Sequence, residues 1–150
     1  MEAVLARPSR EQCLRLMATA PVGRIIYTRQ AMPAVELVNF ALDAGDVVIR
    51  TASAGKLAAA IRGTVVAFEA DQYDPSTHEG WSVTVVGLAG EVTDAERAKR
   101  LRIEGPHPWA PGDQPYLMTI TPGIVNGRYL SAAGSGPAGP PDEGLPLRVL

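Results

Sequence analysis

From Val22 onward the chain alternates between blocks of β-branched and aromatic residues and short polar turns, a pattern that predicts strands. Val22-Gly23-Arg24-Ile25-Ile26-Tyr27-Thr28 reads as a first strand, and Pro33 leads into a second that runs through Phe40. A turn signal at Asp43-Ala44-Gly45-Asp46 precedes a buried third strand that ends in Arg50-Thr51. Thr64 to Ala70 reads as a fourth strand, Asp71 to Glu79 as a polar loop, and Gly80 to Val92 as a long fifth strand. The glycines inside that long strand suggest bulges or a barrel corner. Two late strands follow, Tyr116 to Thr121 and Ile124 to Leu130.

Three helices interrupt this pattern. Ser9-Arg10-Glu11-Gln12 fits a capping box that opens a helix running to about Ala20. The alanine-rich stretch Lys56 to Arg62 is a short helix that stops at Gly63. Thr93-Asp94-Ala95-Glu96 reads as a second capping box, with its helix ending near Arg102. Six or so strands joined by short turns, with peripheral helices, predict a small, mostly antiparallel β-barrel. On the long strand Trp81, Val83 and Val85 point one way and Val86 and Leu88 the other. A barrel needs one apolar face inward, so a partner subunit is expected over the other, as in a two-fold homodimer.

Length and composition narrow the class. At 150 residues there is room for one core, so residues 1–130 are expected to form one domain. Residues 131–150, dominated by glycine, proline and alanine, read as a tail. The formal net charge of −2, without a basic block, argues against a nucleic-acid partner. No apolar run reaches the length of a membrane span and no signal segment opens the chain, so a cytoplasmic protein is expected. The single cysteine, Cys13, rules out an internal disulfide and reads as a small buried apolar residue.

Catalytic chemistry from side chains alone is thin. His78 and His107 show no metal-ligand spacing, no nucleophile elbow is present, and Glu69, Asp71 and Asp74 read as a solvated acidic face. No catalytic residue or metal ligand is assigned, and a bound cofactor would have to supply hard chemistry. The strand-to-helix junction Arg50-Thr51-Ala52-Ser53-Ala54-Gly55-Lys56 is the richest stretch. Arg50, Thr51, Ser53 and Lys56 can converge on an anion, which suggests a phosphate site, although ordinary solvated charges fit the same pattern. Only Lys56 and Lys99 among the 14 basic residues are lysines, which favours a particular role for Lys56 as a point charge. Asn39, at a strand end, can hydrogen-bond a heteroaromatic edge, and Trp109 can stack on a flat ring.

Taken in order, several short motifs resemble the pyridoxamine 5′-phosphate oxidase-like, FMN-binding split-barrel family that includes the nitroimidazole reductases. They are Val22-Gly23-Arg24, Pro33, Val38-Asn39-Phe40, Arg50-Thr51, Lys56-Leu57, Val66 to Asp71, Gly80-Trp81-Ser82-Val83, Pro108-Trp109 and Gly127-Arg128. The resemblance covers about residues 9 to 130. It implies a six-stranded antiparallel split barrel that dimerises and binds FMN in clefts at the subunit interface. By position, Arg50, Thr51, Ser53 and Lys56 would hold the ribityl phosphate and Val38 and Asn39 would line the ring. Trp109 and Arg128 would approach from the partner. The activity implied is flavin-dependent oxidation or reduction of a small planar substrate, with NAD(P)H as electron donor. Related split barrels take the deazaflavin coenzyme F420 or haem, so those cofactors, and a non-catalytic binding role, remain alternatives. Leu37 stands where family members often have proline, and the tail lies outside the pattern.

Overall fold

The computed structural model describes residues 4–52 and 56–132. The chain folds as a mainly β, antiparallel barrel with few helices. Its elements are β1 (Val4–Ala6), α1 (Arg10–Met17), β2 (Val22–Arg29), β3 (Met32–Asp43), β4 (Asp46–Thr51), α2 (Lys56–Ile61), β5 (Val65–Asp74), β6 (Glu79–Glu91), α3 (Ala95–Glu104) and β7 (Tyr116–Ser131). The strand order is β1-β7-β4-β3-β2-β5-β6, and a further β7–β6 pairing closes the ring. Six strands form the ring, as the resemblance implied, and the three-residue β1 is an addition beside β7.

Two expected strands prove to be one. Residues 116–131 run continuously, with Pro122 and Gly123 inside the strand. Pro122 faces Gly87 where the β6–β7 register shifts between Val86 and Gly87, and a bulge is a place that tolerates proline. The glycine is required there, because a Cβ on Gly87 would lie 1.8 Å from the Thr121 carbonyl oxygen. The expected loop 71–79 is also shorter than its composition suggested. β5 continues to Asp74, β6 starts at Glu79, and an Asp74-Ser76 turn joins them.

Local rules explain the helix starts. Ser9 Oγ accepts from the Gln12 N–H and Gln12 Oε1 accepts from the Ser9 N–H, completing the capping box. At α3 the cap is Asp94 rather than Thr93, and its carboxylate accepts from the Glu96 and Arg97 N–H groups. α1 ends near Met17 and not Ala20. No helix among the described residues is long and apolar enough to cross a membrane.

The main core fills the barrel with Ile25, Phe40, Val47, Ile49, Phe68, Val83, Val85, Met118 and Ile120 among others. Phe40 and Phe68 meet edge to face at 4.8 Å. Cys13 is buried in this core, as its sequence neighbours suggested. β4 is covered on both faces: Val47 and Ile49 enter the barrel, while Val48 packs with Leu117 and Leu101 of α3. Ion pairs clamp α3 to the β3–β4 hairpin. Buried Asp43 accepts from Arg97 Nε at 2.8 Å and from both terminal nitrogens of Arg100 at 2.9 and 3.1 Å. Arg97 also donates to Asp46 Oδ2 at 3.1 Å.

The bonds from Arg100, reinforced by Arg97 and opposed by burial, hold the Asp43 carboxyl below its ordinary range. A depressed carboxyl stabilises the fold fully above its unfolded pKa of about 3.9, and this contribution is lost as pH falls through the folded value. Asp43→Asn is therefore expected to lower unfolding free energy by about 2–3 kcal/mol at neutral pH. Denaturant titrations should show that gap narrowing toward pH 3, the region where the wild type loses the same contribution.

Candidate functional site

The ladder between β3 and β4 runs from Asp43↔Asp46 to Phe40↔Ile49 and stops there. Beyond it β3 stays paired with β2 through Asn39↔Val22, while the end of β4 stays paired with β7 through Arg50↔Leu117 and Thr51↔Tyr116. A pocket of about 350 Å³ opens in this split. Glu36, Leu37, Val38 and Asn39 form one wall, Arg50, Thr51 and Ala52 another, and Lys56 and Leu57 of α2 with Pro108, Ala110 and Gln114 complete it.

The chemistry of this pocket is cationic with one acid. Arg50 donates through Nε to the Gln114 carbonyl oxygen at 3.2 Å, and its terminal nitrogens have no partner among the described residues. Lys56 is exposed and makes no ion pair among them. Thr51 is 4% exposed, and its hydroxyl is buried without a hydrogen-bond partner among the described residues. An orphaned buried hydroxyl costs about 1–3 kcal/mol, and in a pocket that also carries two cations without ion-pair partners among the described residues an anionic acceptor fits. Glu36 is the acid: it accepts from the Tyr27 hydroxyl at 2.6 Å, and that bond, with burial, raises the Tyr27 pKa.

Five of the eight residues singled out from sequence, Val38, Asn39, Arg50, Thr51 and Lys56, line this one pocket. Ser53 lies outside the described residues. Asn39 does something the sequence reading missed. Its Oδ1 accepts from the Trp109 backbone N–H at 2.8 Å and its Nδ2 donates to the Pro21 carbonyl oxygen at 3.3 Å. The amide thus ties the 106–115 segment to the barrel, and its second N–H and second acceptor lone pair remain for a ring edge. The Trp109 side chain is exposed and stands outside the pocket, although its neighbours Pro108 and Ala110 form the wall.

Arg128 is not in this pocket. It belongs to a second recess on the outside of the barrel with Arg7, Ser82, Thr84, Asn126 and Gly127. Arg7 was not singled out from sequence, because nothing local shows that β1 pairs with the end of β7.

Glu69 and Asp71, expected to be simply solvated, share the guanidinium of Arg24. Its NH1 reaches Glu69 at 3.0 Å and Asp71 at 3.2 Å. Burial first, then the bond to and charge of Asp71, push the Glu69 carboxyl up to about 7 against the pull of Arg24. Asp74 remains exposed and holds Ser76 in the turn. Among the described residues no cluster of potential ligands could hold a metal ion.

Comparison with known proteins places this architecture. The family model described as pyridoxamine 5′-phosphate oxidase matches residues 9–128, and the chain belongs to that family. An uncharacterized protein of Mycobacterium tuberculosis is 41% identical over 123 residues, covering 79% of this chain and 80% of its own length. The FAD binding protein from Mycobacterium smegmatis superposes with a TM-score of 0.66 at 27% identity, covering 84% of this chain and 98% of that one. A FAD-binding protein from Mesorhizobium loti shares the fold with a TM-score of 0.70 at 21% identity, covering 87% and 100%. Family and neighbours together identify the split barrel of the pyridoxamine 5′-phosphate oxidase family.

The carboxylate pair gives a direct check on these electrostatics. Arg24→Ala removes the one cation that opposes protonation, so Glu69 should titrate at higher pH than in the wild type. Carboxyl-carbon NMR across pH 4–9 reads this, and an unchanged midpoint contradicts the assignment.

Proposed function

We propose that this protein is an FMN-dependent oxidoreductase that acts as a cytoplasmic homodimer. It passes electrons from NAD(P)H to a small, planar, electron-poor substrate. The single observation that carries this reading is that Thr51, whose hydroxyl is buried without a partner among the described residues, lines the same pocket as Arg50 and Lys56. Together these side chains make the donor set that a terminal phosphate requires, and family membership points to a phosphate-bearing flavin. The phosphate would rest on Arg50, Thr51 and Lys56. The ring would lie along Val38, where the apolar wall of Leu57, Pro108 and Ala110 excludes water from one side. When bound, the flavin supplies the two-electron chemistry, and the protein's side chains position and shield it.

Dimerisation is supported by the outer face of the barrel. Val35, Ile26, Ala67, Val86 and Ile124 stand in cross-strand register, an apolar row across five strands. Leu37, Val65 and Leu88 flank it, and the large residues at its exposed positions are 56–68% accessible. An apolar band of this extent on a closed barrel matches burial against a second copy. Trp109 and Arg128, both outside the pocket of their own chain, would then meet the flavin of the partner.

Arg50→Ala and Lys56→Ala are each expected to weaken FMN binding by about 1–3 kcal/mol, measured by quenching of flavin fluorescence. Parallel titration with the deazaflavin coenzyme tests the cofactor, because tighter binding of that coenzyme than of FMN overturns the choice made here. The absorption spectrum of the purified protein separates flavin from haem at once. Leu88→Asp should convert the dimer to a monomer in sedimentation experiments, and a wild type that sediments as a monomer with flavin bound refutes the shared cleft.

A further inference from the structure

The last registered pair between β1 and β7 is Ala6↔Tyr129, so Arg7 follows at the level of Arg128 on the neighbouring strand. Arg128 in turn faces Ser82 of β6, with Asn126 and Thr84 forming the next pair on the same outward side. These side chains, with the Gly127 backbone, line a recess of about 500 Å³. Every one of the five side chains carries a hydrogen-bond donor, and none is a carboxylate. Among the described residues none of the five makes a side-chain hydrogen bond or ion pair.

Two like charges at facing positions on adjacent strands destabilise a sheet. The acids in register, Asp71 across from Ser82 and Glu69 across from Thr84, lie one strand beyond the recess, and both are engaged by Arg24. An external anion would relieve the repulsion. Paired guanidiniums with hydroxyl and amide donors beside them fit the oxygens of a phosphate or carboxylate, and bidentate arginine contacts give such sites their selectivity.

We propose that Arg7 and Arg128, with Ser82, Thr84 and Asn126, form a second anion-binding site, separate from the Arg50–Lys56 pocket. Its ligand is a phosphate or carboxylate group. The group belongs either to the second phosphate of a dinucleotide flavin seated in the partner subunit's pocket, which Arg128 would meet across the interface, or to a separate acidic substrate. The site itself stands on its own residues, and only the choice between these two sources rests on the flavin reading above.

Calorimetric titration of the full chain with inorganic pyrophosphate tests it. One binding event should weaken about tenfold in Arg7→Gln and in Arg128→Gln and survive unchanged in Arg50→Ala/Lys56→Ala. Both arginines are exposed and have no partner among the described residues, so these variants keep the fold, which circular dichroism verifies. Pyrophosphate binding that ignores Arg7 and Arg128, or that is absent, overturns the proposal. A second titration distinguishes the sources. FAD displacing pyrophosphate from the recess where FMN does not assigns the anion to the flavin, and displacement by neither assigns it to a separate ligand. Either outcome sustains the site, whereas displacement by FMN, with or without displacement by FAD, merges it with the flavin-phosphate seat and overturns its independence. Loss of FMN binding altogether would sink the flavin reading while leaving the pyrophosphate result intact.

Discussion

Closure of the sheet through β7 is the constraint on which everything else in this molecule rests. Its first residues pair with β4, almost its whole length pairs with β6, and its last residues hold β1. One strand therefore joins two halves of the ring that would otherwise be separate sheets. Backbone hydrogen bonds left open at a buried seam cost as much as lost bonds, so the seam is satisfied along nearly its full length. The bulge at Val86/Gly87 lets a sixteen-residue strand turn the corner without breaking that ladder.

The cleft is the complement of that closure. Because β4 is drawn toward β7 at Thr51 while β3 follows β2 at Asn39, the two strands part just after Phe40 and Ile49. Polar side chains at the parting ends face a gap instead of each other. The gap is then walled by a segment from the far end of the chain, held by Asn39 to Trp109 and by Arg50 to Gln114. The residues best suited to bind a ligand are thus also those that keep its container together. A substitution at either place must be read for both effects, and a loss of affinity at Asn39 alone would not distinguish them.

Much of this was legible in the sequence because it is local. Period-two blocks gave the strands, the Ser9–Gln12 box gave α1, and the internal glycines of β6 marked the bulge. The cluster Val38, Arg50, Thr51 and Lys56 could be assembled because a short hairpin and a short turn bring those positions together. What escaped was long-range or masked by composition. Pro122-Gly123 reads as a break unless Gly87 is known to face it. Three residues are too few for β1 to show any period, and without β1 the company of Arg7 and Arg128 is invisible. Asn39 acquires its partner from 70 residues away, and Glu69 owes its raised pKa to burial and then to Asp71 packed beside it, against the pull of Arg24. Competing caps at Thr93 and Asp94 differ by one residue, which is below what capping rules resolve.

Arg10 illustrates how the ring guards its remaining weakness. Between the stretches of β7 that pair with β4 and with β1, residues 121–128 have no registered neighbour on that side. The Arg10 guanidinium sits there, donating to the carbonyl oxygens of Pro122 at 2.7 Å and Gly123 at 3.3 Å. An unpaired strand edge is a template onto which another polypeptide can add. A charged side chain laid across two of its carbonyls leaves less of that edge open to such addition, and it comes from the first turn of a helix whose other face packs on the core.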